Sequence, residues 1–365
     1  MISIADVTAQ PFDIELNEPF GIATGAQLVA SNVLVTVTLS DGTVGTGEAA
    51  PFPAVNGETQ SAVLGALCAA HSSFVGLDAL RWRPAVVVAE LALRGTPTAL
   101  AALESALLDA LCRRARVSLW AFFGGAQAEL VSDITIPTGS AEHARASALR
   151  ALHAGFVTLK IKVGGAPFDQ DRARLAAIVE AAPNARLILD ANASMSADEA
   201  LELLSALGHA KGQVALFEQP TAKLDLDGLR TVREHSGVPV AADESACSAA
   251  DVLTLVNAQA VDAVNIKTMK SGIVEAMAMI SVARAAGLGL MIGGMVESKL
   301  SMTVSACLAA GSGGFSHVDL DTPWFLKNAP ISGGWAEQGP TLRLDHITSG
   351  HGVDCSLPRR PAEPA

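Results

Sequence analysis

The stretch Val157-Thr-Leu-Lys-Ile-Lys-Val163 is a short β-rich run, and a glycine turn and an Ala/Leu-rich helical stretch follow it. From about residue 130 onward, units of this kind recur about every 25 to 30 residues. Strands that alternate with helices at this spacing are typical of βαβ units, and eight strands favour a closed barrel over an open sheet. The eight β-rich runs are Ser132–Pro137, Val157–Val163, Arg186–Asp190, Gln213–Glu218, Val238–Asp243, Val261–Lys267, Leu288–Ile292 and Phe315–Asp319. The predicted fold class is therefore α/β, a (β/α)7β TIM-like barrel.

The first 125 residues follow a different pattern. Ser31–Ser40 alternates β-branched residues like a strand, and Asp41-Gly42 is a hairpin turn that leads into Thr43–Glu48. Two helical stretches follow, near Gln60–Ala70 and Thr98–Arg114. We therefore predict three parts of the chain: an α+β capping domain over residues 1–125, the barrel over 126–322, and a C-terminal segment over 323–365 that returns to the capping domain and ends in a disordered, proline-rich tail.

The composition argues against several classes of protein. The 365 residues carry 25 Lys and Arg against 37 Asp and Glu, a net charge of −12, whereas nucleic-acid binding needs clustered positive charge. No apolar run approaches the roughly 20 residues of a membrane helix, and the N-terminus lacks the basic and apolar regions of a signal peptide. Five cysteines without CxxC spacing argue against a disulfide framework and a zinc site. We expect a cytoplasmic protein that forms a homo-oligomer and binds neither nucleic acid nor membrane.

Charged residues stand at nearly every predicted strand end, where the functional groups of a parallel barrel gather. Asp190, Glu218 and Asp243 end three consecutive runs, so their carboxylates would converge on one point. Three oxygen donors, without cysteine or histidine ligands, suit Mg²⁺ better than zinc. Three separate helix N-caps or surface salt bridges are the alternative interpretation.

Three lysines accompany these carboxylates. Lys160 and Lys162 lie two apart on one run, so both side chains face the barrel interior, and Lys267 ends a strand on the far side. A metal ion can neutralise the charge that develops when one amine removes a proton next to a carboxylate and the other returns it from the opposite face. This is a racemisation or epimerisation geometry, in which Lys160 tunes Lys162. Salt bridges to the carboxylates are the alternative for Lys160 and Lys267.

Six motifs follow one another along the barrel region. They are Thr158-Leu-Lys160-Ile-Lys162-Val-Gly164, Leu189-Asp190-Ala-Asn192, Phe217-Glu218-Gln-Pro220, Ala242-Asp243-Glu244-Ser245, Asn265-Ile-Lys267 and Gly293-Gly-Met-Val-Glu297-Ser-Lys-Leu300. In this order they resemble the barrel motifs of the muconate-lactonizing-enzyme subgroup of the enolase superfamily. The resemblance implies that Asp190, Glu218 and Asp243 bind Mg²⁺ and that Lys162 and Lys267 are the acid/base pair.

The last run separates the members of this subgroup. Asp319-Leu-Asp321-Thr-Pro323 resembles the Asp-x-Asp element with which dipeptide epimerases hold the α-ammonium group of the substrate, and two carboxylates at a strand end suit a cation. A turn with one helix-capping aspartate is the alternative. The residues predicted to bind substrate are Lys160, Glu297, Asp319, Asp321 and Thr24.

The first capping loop indicates the substrate side chain. In family members that act on Ala-Glu, a basic residue in this loop pairs with the glutamate side chain, whereas the loop here reads Gly21-Ile-Ala-Thr-Gly-Ala-Gln27-Leu28 and contains no cation. Its apolar residues, together with Phe52, favour substrates with apolar side chains.

The predicted function is that of a Mg²⁺-dependent dipeptide epimerase. It would invert the α-carbon of the C-terminal residue of hydrophobic dipeptides by two-lysine 1,1-proton transfer through an enediolate. The alternatives within the superfamily are an L-Ala-D/L-Glu epimerase, an o-succinylbenzoate synthase and an N-succinylamino acid racemase. A Schiff-base aldolase, in which Lys162 or Lys267 attacks a carbonyl, and a non-catalytic binding barrel are the alternatives outside it.

Overall fold

The computed structural model describes residues 1–22, 25–327 and 329–355 of the chain. It begins with an antiparallel sheet in the order β1-β2-β3, formed by β1 (Ile4–Ile22), β2 (Gly25–Leu39) and β3 (Val44–Ala49). Gly42 has a φ of 85° in the turn before β3, which confirms the predicted hairpin.

The segment predicted as the first capping loop is the end of a long hairpin. β1 and β2 pair as far as Ile22 and Gly25. This pairing gives the backbone N–H and C=O groups of the two strands hydrogen-bond partners in each other. A Cβ at Gly21 would lie 2.6 Å from Thr138 Oγ1, so this end of the hairpin lies close to the barrel. Residue 23 and Thr24 lie outside the described residues, and the substrate contact expected of Thr24 stays a prediction.

Five helices complete the N-terminal region. They are α1 (Pro53–Asn56), α2 (Gln60–Phe74), α3 (Trp82–Ala92), α4 (Pro97–Ala115) and α5 (Leu119–Phe122). Helices α2 and α4 confirm the two predicted helical stretches, whereas α3 had not been predicted. Helix α4 is buried along most of its length because it packs against β3 on one side and the barrel on the other.

The eight predicted β-rich runs form one parallel sheet, and a short strand, β4 (Glu129–Val131), precedes them. The eight strands are β5 (Ile134–Ile136), β6 (Thr158–Lys162), β7 (Arg186–Asp190), β8 (Val214–Glu218), β9 (Val240–Ala242), β10 (Ala263–Ile266), β11 (Gly289–Ile292) and β12 (Phe315–Val318). They lie side by side in chain order. The backbone N–H of Asp133, directly before β5, donates to the carbonyl oxygen of Val318 over 2.8 Å, which joins the last strand to the first. The predicted barrel is confirmed.

Helices connect consecutive barrel strands. They are α6 (Ala141–His153), α7 (Phe168–Ala181), α8 (Ala197–Ala206), α9 (Leu226–Ser236), α10 (Ala249–Asn257), α11 (Thr268–Ser271), α12 (Ile273–Ala285) and α13 (Lys299–Ser312). Three short 3₁₀ helices span Ala79–Arg81, Gly208–Gln213 and Thr322–Phe325. None of the helices in the described ranges combines the length and the apolar character that a membrane crossing needs.

The C-terminal segment contacts the N-terminal region. Its strands are β13 (Ile331–Gly333), β14 (Ala336–Gln338), β15 (Thr341–Arg343) and β16 (Val353–Cys355). Leu326 forms a β-bridge with Leu16, and the Arg113 guanidinium donates to the carbonyl oxygen of Val353 over 2.6 Å. The expected tail over residues 356–365 lies outside the described residues, and the three domain boundaries stay predictions.

Two buried carboxylates of the N-terminal region meet the first turns of barrel helices. Glu48 in β3 accepts hydrogen bonds from the backbone N–H and the hydroxyl of Ser298, at 2.9 and 2.5 Å, where α13 begins. Glu104 in α4 accepts from the N–H groups of Ile273 and Val274, where α12 begins. The free N–H groups of a helix N-terminus favour a carboxylate partner. Side chains of the first 125 residues therefore cap two barrel helices.

Candidate active site

The two-residue alternation of side chains along the barrel strands determines which face of the sheet the predicted metal ligands occupy. Ile188, Leu216 and Ala241 belong to a buried apolar cluster, and Asp190, Glu218 and Asp243 each follow one of them by two residues. Side chains two apart on a strand share a face, so all six face the same side of the sheet. The three acidic residues are at most 3% exposed. The sheet thus brings them to the carboxyl end of the strands, as predicted.

Two lysine ammonium groups lie between these carboxylates. Lys160 Nζ lies 3.0 Å from Asp190 Oδ2 and 2.7 Å from Glu218 Oε2. Lys267 Nζ lies 2.6 Å from Asp243 Oδ2 and 4.0 Å from Glu218 Oε1. The alternative of separate surface salt bridges or helix caps does not describe these residues, because they form one buried network.

Burial and the lysines act in opposite directions on the pKa values of these acids. Burial alone would raise the pKa of Asp190, but Lys160 and Lys162 outweigh it and hold that pKa below its usual range. Asp243 behaves in the same way because Lys267 and Lys270 face it. Burial and the charge of Asp190 raise the pKa of Glu218 to about 7. The lysines thus keep Asp190 and Asp243 ionised, and Glu218 is the acid of the three that holds a proton most readily.

The donor set fits a hard dication. Asn265 Nδ2 donates to Glu218 Oε1 over 2.7 Å, and Glu218 Oε2 has Lys160 Nζ, 2.7 Å away, as its charged partner. Oxygen-only donors of high negative charge suit Mg²⁺. Asp190, Glu218 and Asp243 are therefore the residues that would hold it.

Two residues beside the ligands have left-handed backbone conformations. Asn192, with a φ of 44°, donates its backbone N–H to Asp190 Oδ1 over 2.9 Å. Gln219, with a φ of 36°, accepts at Oε1 from the N–H groups of Asp243 and Ser245, at 2.9 and 3.1 Å. Non-glycine residues in this region are strained and persist where their surroundings hold them. Asn192 and Gln219 thus fix the orientation of the ligands.

A cavity lies at the carboxyl ends of the strands. Its lining residues are Phe52, Val55, Thr135, Lys162, Asn192, Asp243, Lys267, Gly294, Met295, Asp319, Asp321 and Thr322. Lys162 ends β6 and Lys267 directly follows β10, so four strand steps separate them in a sheet of eight. That is half of the barrel circumference, and the two amines approach the cavity from opposite sides. The arrangement agrees with the predicted acid/base pair.

The carboxylates of Asp319 and Asp321 form a second acidic group at the wall of the cavity. Asp319 Oδ2 accepts from Lys160 Nζ over 2.6 Å, and Asp321 Oδ2 accepts from the backbone N–H of Thr135 over 2.5 Å. Burial and the charge of Asp319 raise the pKa of Asp321 to about 7. Among the described residues, Asp133, Asp319 and Asp321 are the acids whose ligand oxygens all lie within 4.8 Å of one another. Such a group can hold a cation.

Two other residues predicted to bind substrate lie behind the cavity wall. Lys160 is 1% exposed and pairs with three carboxylates, so its place favours the tuning role over direct contact. Glu297 accepts from the N–H of Met295 over 2.7 Å and from the hydroxyl of Ser301 over 2.5 Å. It therefore orients Met295, which lines the cavity.

Sequence reasoning missed several residues of the site. Lys270 donates to Asp243 Oδ1 and to the carbonyl oxygens of Asp243 and Asn265, at 2.6, 2.6 and 2.9 Å. Its position three residues after Lys267, about one helical turn, is a signal that could have revealed it. Val55 lines the cavity from the four-residue helix α1 and Met295 from the loop between β11 and α13, and neither element is long enough for a periodic pattern to mark it.

Two family models match this chain and together span most of it. Models of the mandelate racemase/muconate lactonizing enzyme N-terminal domain and of the enolase C-terminal domain-like family match residues 4–124 and 143–357. The aromatic dipeptide epimerase of Herpetosiphon aurantiacus is 47% identical over 352 residues, which cover 96% of this chain and 99% of that protein. The L-Ala-D/L-Glu epimerase of Thermotoga maritima is 36% identical, over 90% of this chain and 95% of that protein.

A solved structure extends the comparison to a complex. The dipeptide epimerase of Enterococcus faecalis, in complex with Mg and the dipeptide L-Leu-L-Tyr, is 34% identical and has a TM-score of 0.92. The similarity covers 96% of this chain and 99% of that chain. The predicted family resemblance is confirmed.

Proposed function

The chain belongs to the mandelate racemase/muconate lactonizing enzyme family of the enolase superfamily, and from this premise we propose that it epimerises dipeptides at the α-carbon of the C-terminal residue. One observation carries the proposal: Lys162 and Lys267 face one cavity from opposite sides, and Asp319 and Asp321 form a cation site at its wall. Relatives that share the fold and most of the chain length are dipeptide epimerases.

The metal ligands prepare the substrate for proton removal. Asp190, Glu218 and Asp243 would hold Mg²⁺, which would supply positive charge next to the carboxylate group of the substrate when the neighbouring α-proton leaves. Lys270 and Gln219 keep Asp243 in place from below the cavity.

The two lysines determine the stereochemistry. A neutral amine accepts the α-proton on one side of the substrate, and the ammonium group on the other side returns a proton to the opposite face. The configuration of the α-carbon is then inverted. Lys162 and Lys267 are both nearly buried, and a bound substrate would cover what remains exposed of them. The proton transfer is then shielded from water.

The two ends of the substrate have different partners. The α-ammonium group of the dipeptide would pair with Asp319 and Asp321, which an N-acylated amino acid cannot do. This acidic pair therefore disfavours the o-succinylbenzoate synthase and N-succinylamino acid racemase alternatives.

The wall of the cavity favours a hydrophobic side chain at the C-terminal residue. Phe52, Val55 and Met295 are its large apolar members, and Lys162 and Lys267 are the cations among the described lining residues. Both lysines are occupied by the reaction, so a glutamate side chain has no separate cationic partner in this part of the molecule. We propose hydrophobic dipeptides as the substrates, rather than L-Ala-L-Glu.

Isotope exchange tests the proposal. A library of L-Ala-L-Xaa dipeptides is incubated with the enzyme and Mg²⁺ in D₂O, and mass spectrometry measures deuterium at the α-carbon. Wild-type enzyme should label L-Ala-L-Phe and L-Ala-L-Leu faster than L-Ala-L-Glu. Lys267→Ala should lose epimerisation but keep exchange of the proton that faces Lys162, whereas the control Lys327→Ala, at an exposed lysine, should keep both.

Two outcomes would contradict the proposal. Labelling of N-succinylated amino acids but not of dipeptides would replace it with the racemase alternative. Borohydride trapping of a covalent adduct at either lysine, without a requirement for metal, would replace it with the aldolase alternative.

We also propose a cytoplasmic, homo-oligomeric enzyme. The buried thiols of Cys112 and Cys307 suit a reducing compartment. Fractionation of the native organism's cells and analytical ultracentrifugation of the purified protein test the two statements.

A further inference from the structure

One buried carboxylate beside the cavity has no role in the reaction described above. Asp133 lies directly before β5 and is 2% exposed. Neither of its carboxylate oxygens accepts a hydrogen bond within the described part of the chain. Its two acidic neighbours differ from it, because Asp319 accepts from Lys160 and Asp321 accepts from the Thr135 N–H.

Three carboxylates so close together cannot all be ionised. Asp133, Asp319 and Asp321 each place an oxygen within 4.8 Å of the others. Like charges that share a buried site raise one another's pKa, and such sites retain a proton. Glu218 adds negative charge from β8, and Lys160, on β6, divides its single positive charge among Asp190, Glu218 and Asp319.

The hydrogen bonds indicate which acid keeps the proton. Donors that point at a carboxylate favour its ionised form, and Asp319 and Asp321 each have one. Asp133 has none among the described residues. In agreement, burial and the charges of Asp319 and Asp321 raise the pKa of Asp133 well above its usual range.

We propose that Asp133 carries a proton in the free enzyme and releases it when the α-ammonium group of a dipeptide binds at Asp319 and Asp321. This inference rests on the function proposed above. The O–H bond of Asp133 breaks, and the proton passes to solvent by way of Asp319 and Asp321, which line the cavity. The substrate cation takes over the neutralisation that the proton provided. Asp133 is thus a positioning residue that makes dipeptide binding depend on pH.

Calorimetry measures the proton directly. The probe is L-alanyl-L-α-methylphenylalanine, which has an α-ammonium group but no α-proton to exchange. It is titrated into the Mg²⁺-saturated enzyme near pH 7 in two buffers of different ionisation enthalpy, and the difference in heat gives the number of protons released. We expect up to about one proton per site with the wild type, and none with the N-acetyl derivative, if that derivative binds.

The variant Asp133→Asn assigns the proton. An amide resembles the neutral acid in shape and cannot ionise, so this variant should release fewer protons than the wild type when it binds the probe, and the release that remains belongs to Asp319 and Asp321. Infrared difference spectra of the wild type provide a second measurement, in which the C=O stretch of a protonated carboxyl group should disappear when the probe binds. The dissociation constant should fall as pH rises through the range of release in the wild type, and it should fall less steeply in Asp133→Asn.

Three other outcomes would contradict the role of Asp133 or the function on which it rests. Binding of the probe without proton release, or release that is undiminished in Asp133→Asn, overturns the role of Asp133 but leaves the epimerase function intact. Failure of the probe and of all dipeptides to bind contradicts the proposed function itself. Binding of two Mg²⁺ ions by the wild type and one by Asp133→Asn would assign the three carboxylates to a second metal instead.

Discussion

Lys270→Met should destabilise the metal-free protein by about 3 kcal/mol. The ammonium group of Lys270 donates three hydrogen bonds at 2.6, 2.6 and 2.9 Å, and its side chain is only 6% exposed. Loss of one partner of a buried ion pair costs about 3–5 kcal/mol. The lower end applies here because Lys267 still lies 2.6 Å from Asp243 and keeps that carboxylate paired.

Urea unfolding in EDTA measures this loss against a matched control. Lys327→Met removes the same charge from an exposed lysine that lies 3.2 Å from Glu15, and such pairs contribute about 0–1 kcal/mol. Saturating Mg²⁺ should reduce the difference in unfolding free energy between Lys270→Met and the wild type, because a bound ion would supply positive charge next to Asp243. If the two variants lose the same stability in EDTA, Lys270 does not support Asp243 and the reasoning is wrong.

Three further predictions concern pH, selectivity and metal. Burial raises the pKa of Glu104 from 4.5 to about 8, so wild-type stability should fall as pH rises between these two values, where the carboxyl group is ionised in the unfolded state but still protonated in the fold. The stability of Glu104→Gln should fall less, and equal pH slopes in urea unfolding would contradict this. Val55→Asp places a carboxylate in the apolar wall of the cavity, so it should lower the ratio of kcat/KM for L-Ala-L-Phe to kcat/KM for L-Ala-L-Lys about 10-fold or more. The control Val55→Ala should keep the preference for L-Ala-L-Phe. Exhaustive chelation should abolish α-deuteration and added Mg²⁺ should restore it; full activity without metal would refute the ligand assignment.

The parts of the site that could be predicted from sequence are those that barrel periodicity controls. Asp190, Glu218 and Asp243 end strands of a regular parallel sheet, and parallel strands bring their ends together without further information. Lys162 and Lys267 follow from the same rule.

The remaining parts depend on contacts between distant segments. The partners of Glu48 and Glu104 lie 250 and 169 residues away, and no local pattern encodes them. Asp133 gives no signal because its significance lies in the absence of donors in the described surroundings, which only packing decides. The sequence predicts a loop over residues 21–28, where the structure continues the pairing of β1 and β2 to Ile22 and Gly25, because this glycine- and alanine-rich stretch has weak strand propensity.

Glu48 and Glu104 accept hydrogen bonds from the first turns of α13 and α12, and this has a consequence for chimeras made from two related proteins. The hydrogen bonds of Glu48 and Glu104 do not involve the tip of the β1–β2 hairpin. A graft limited to residues 21–28 should therefore alter substrate preference while these hydrogen bonds stay intact. A transplant of the whole N-terminal region requires the donor to bring a hydrogen-bond acceptor to both positions, since otherwise two helices begin with unpaired N–H groups in a buried interface. New specificities therefore evolve most freely at the tip of the hairpin and least freely at the positions of Glu48 and Glu104.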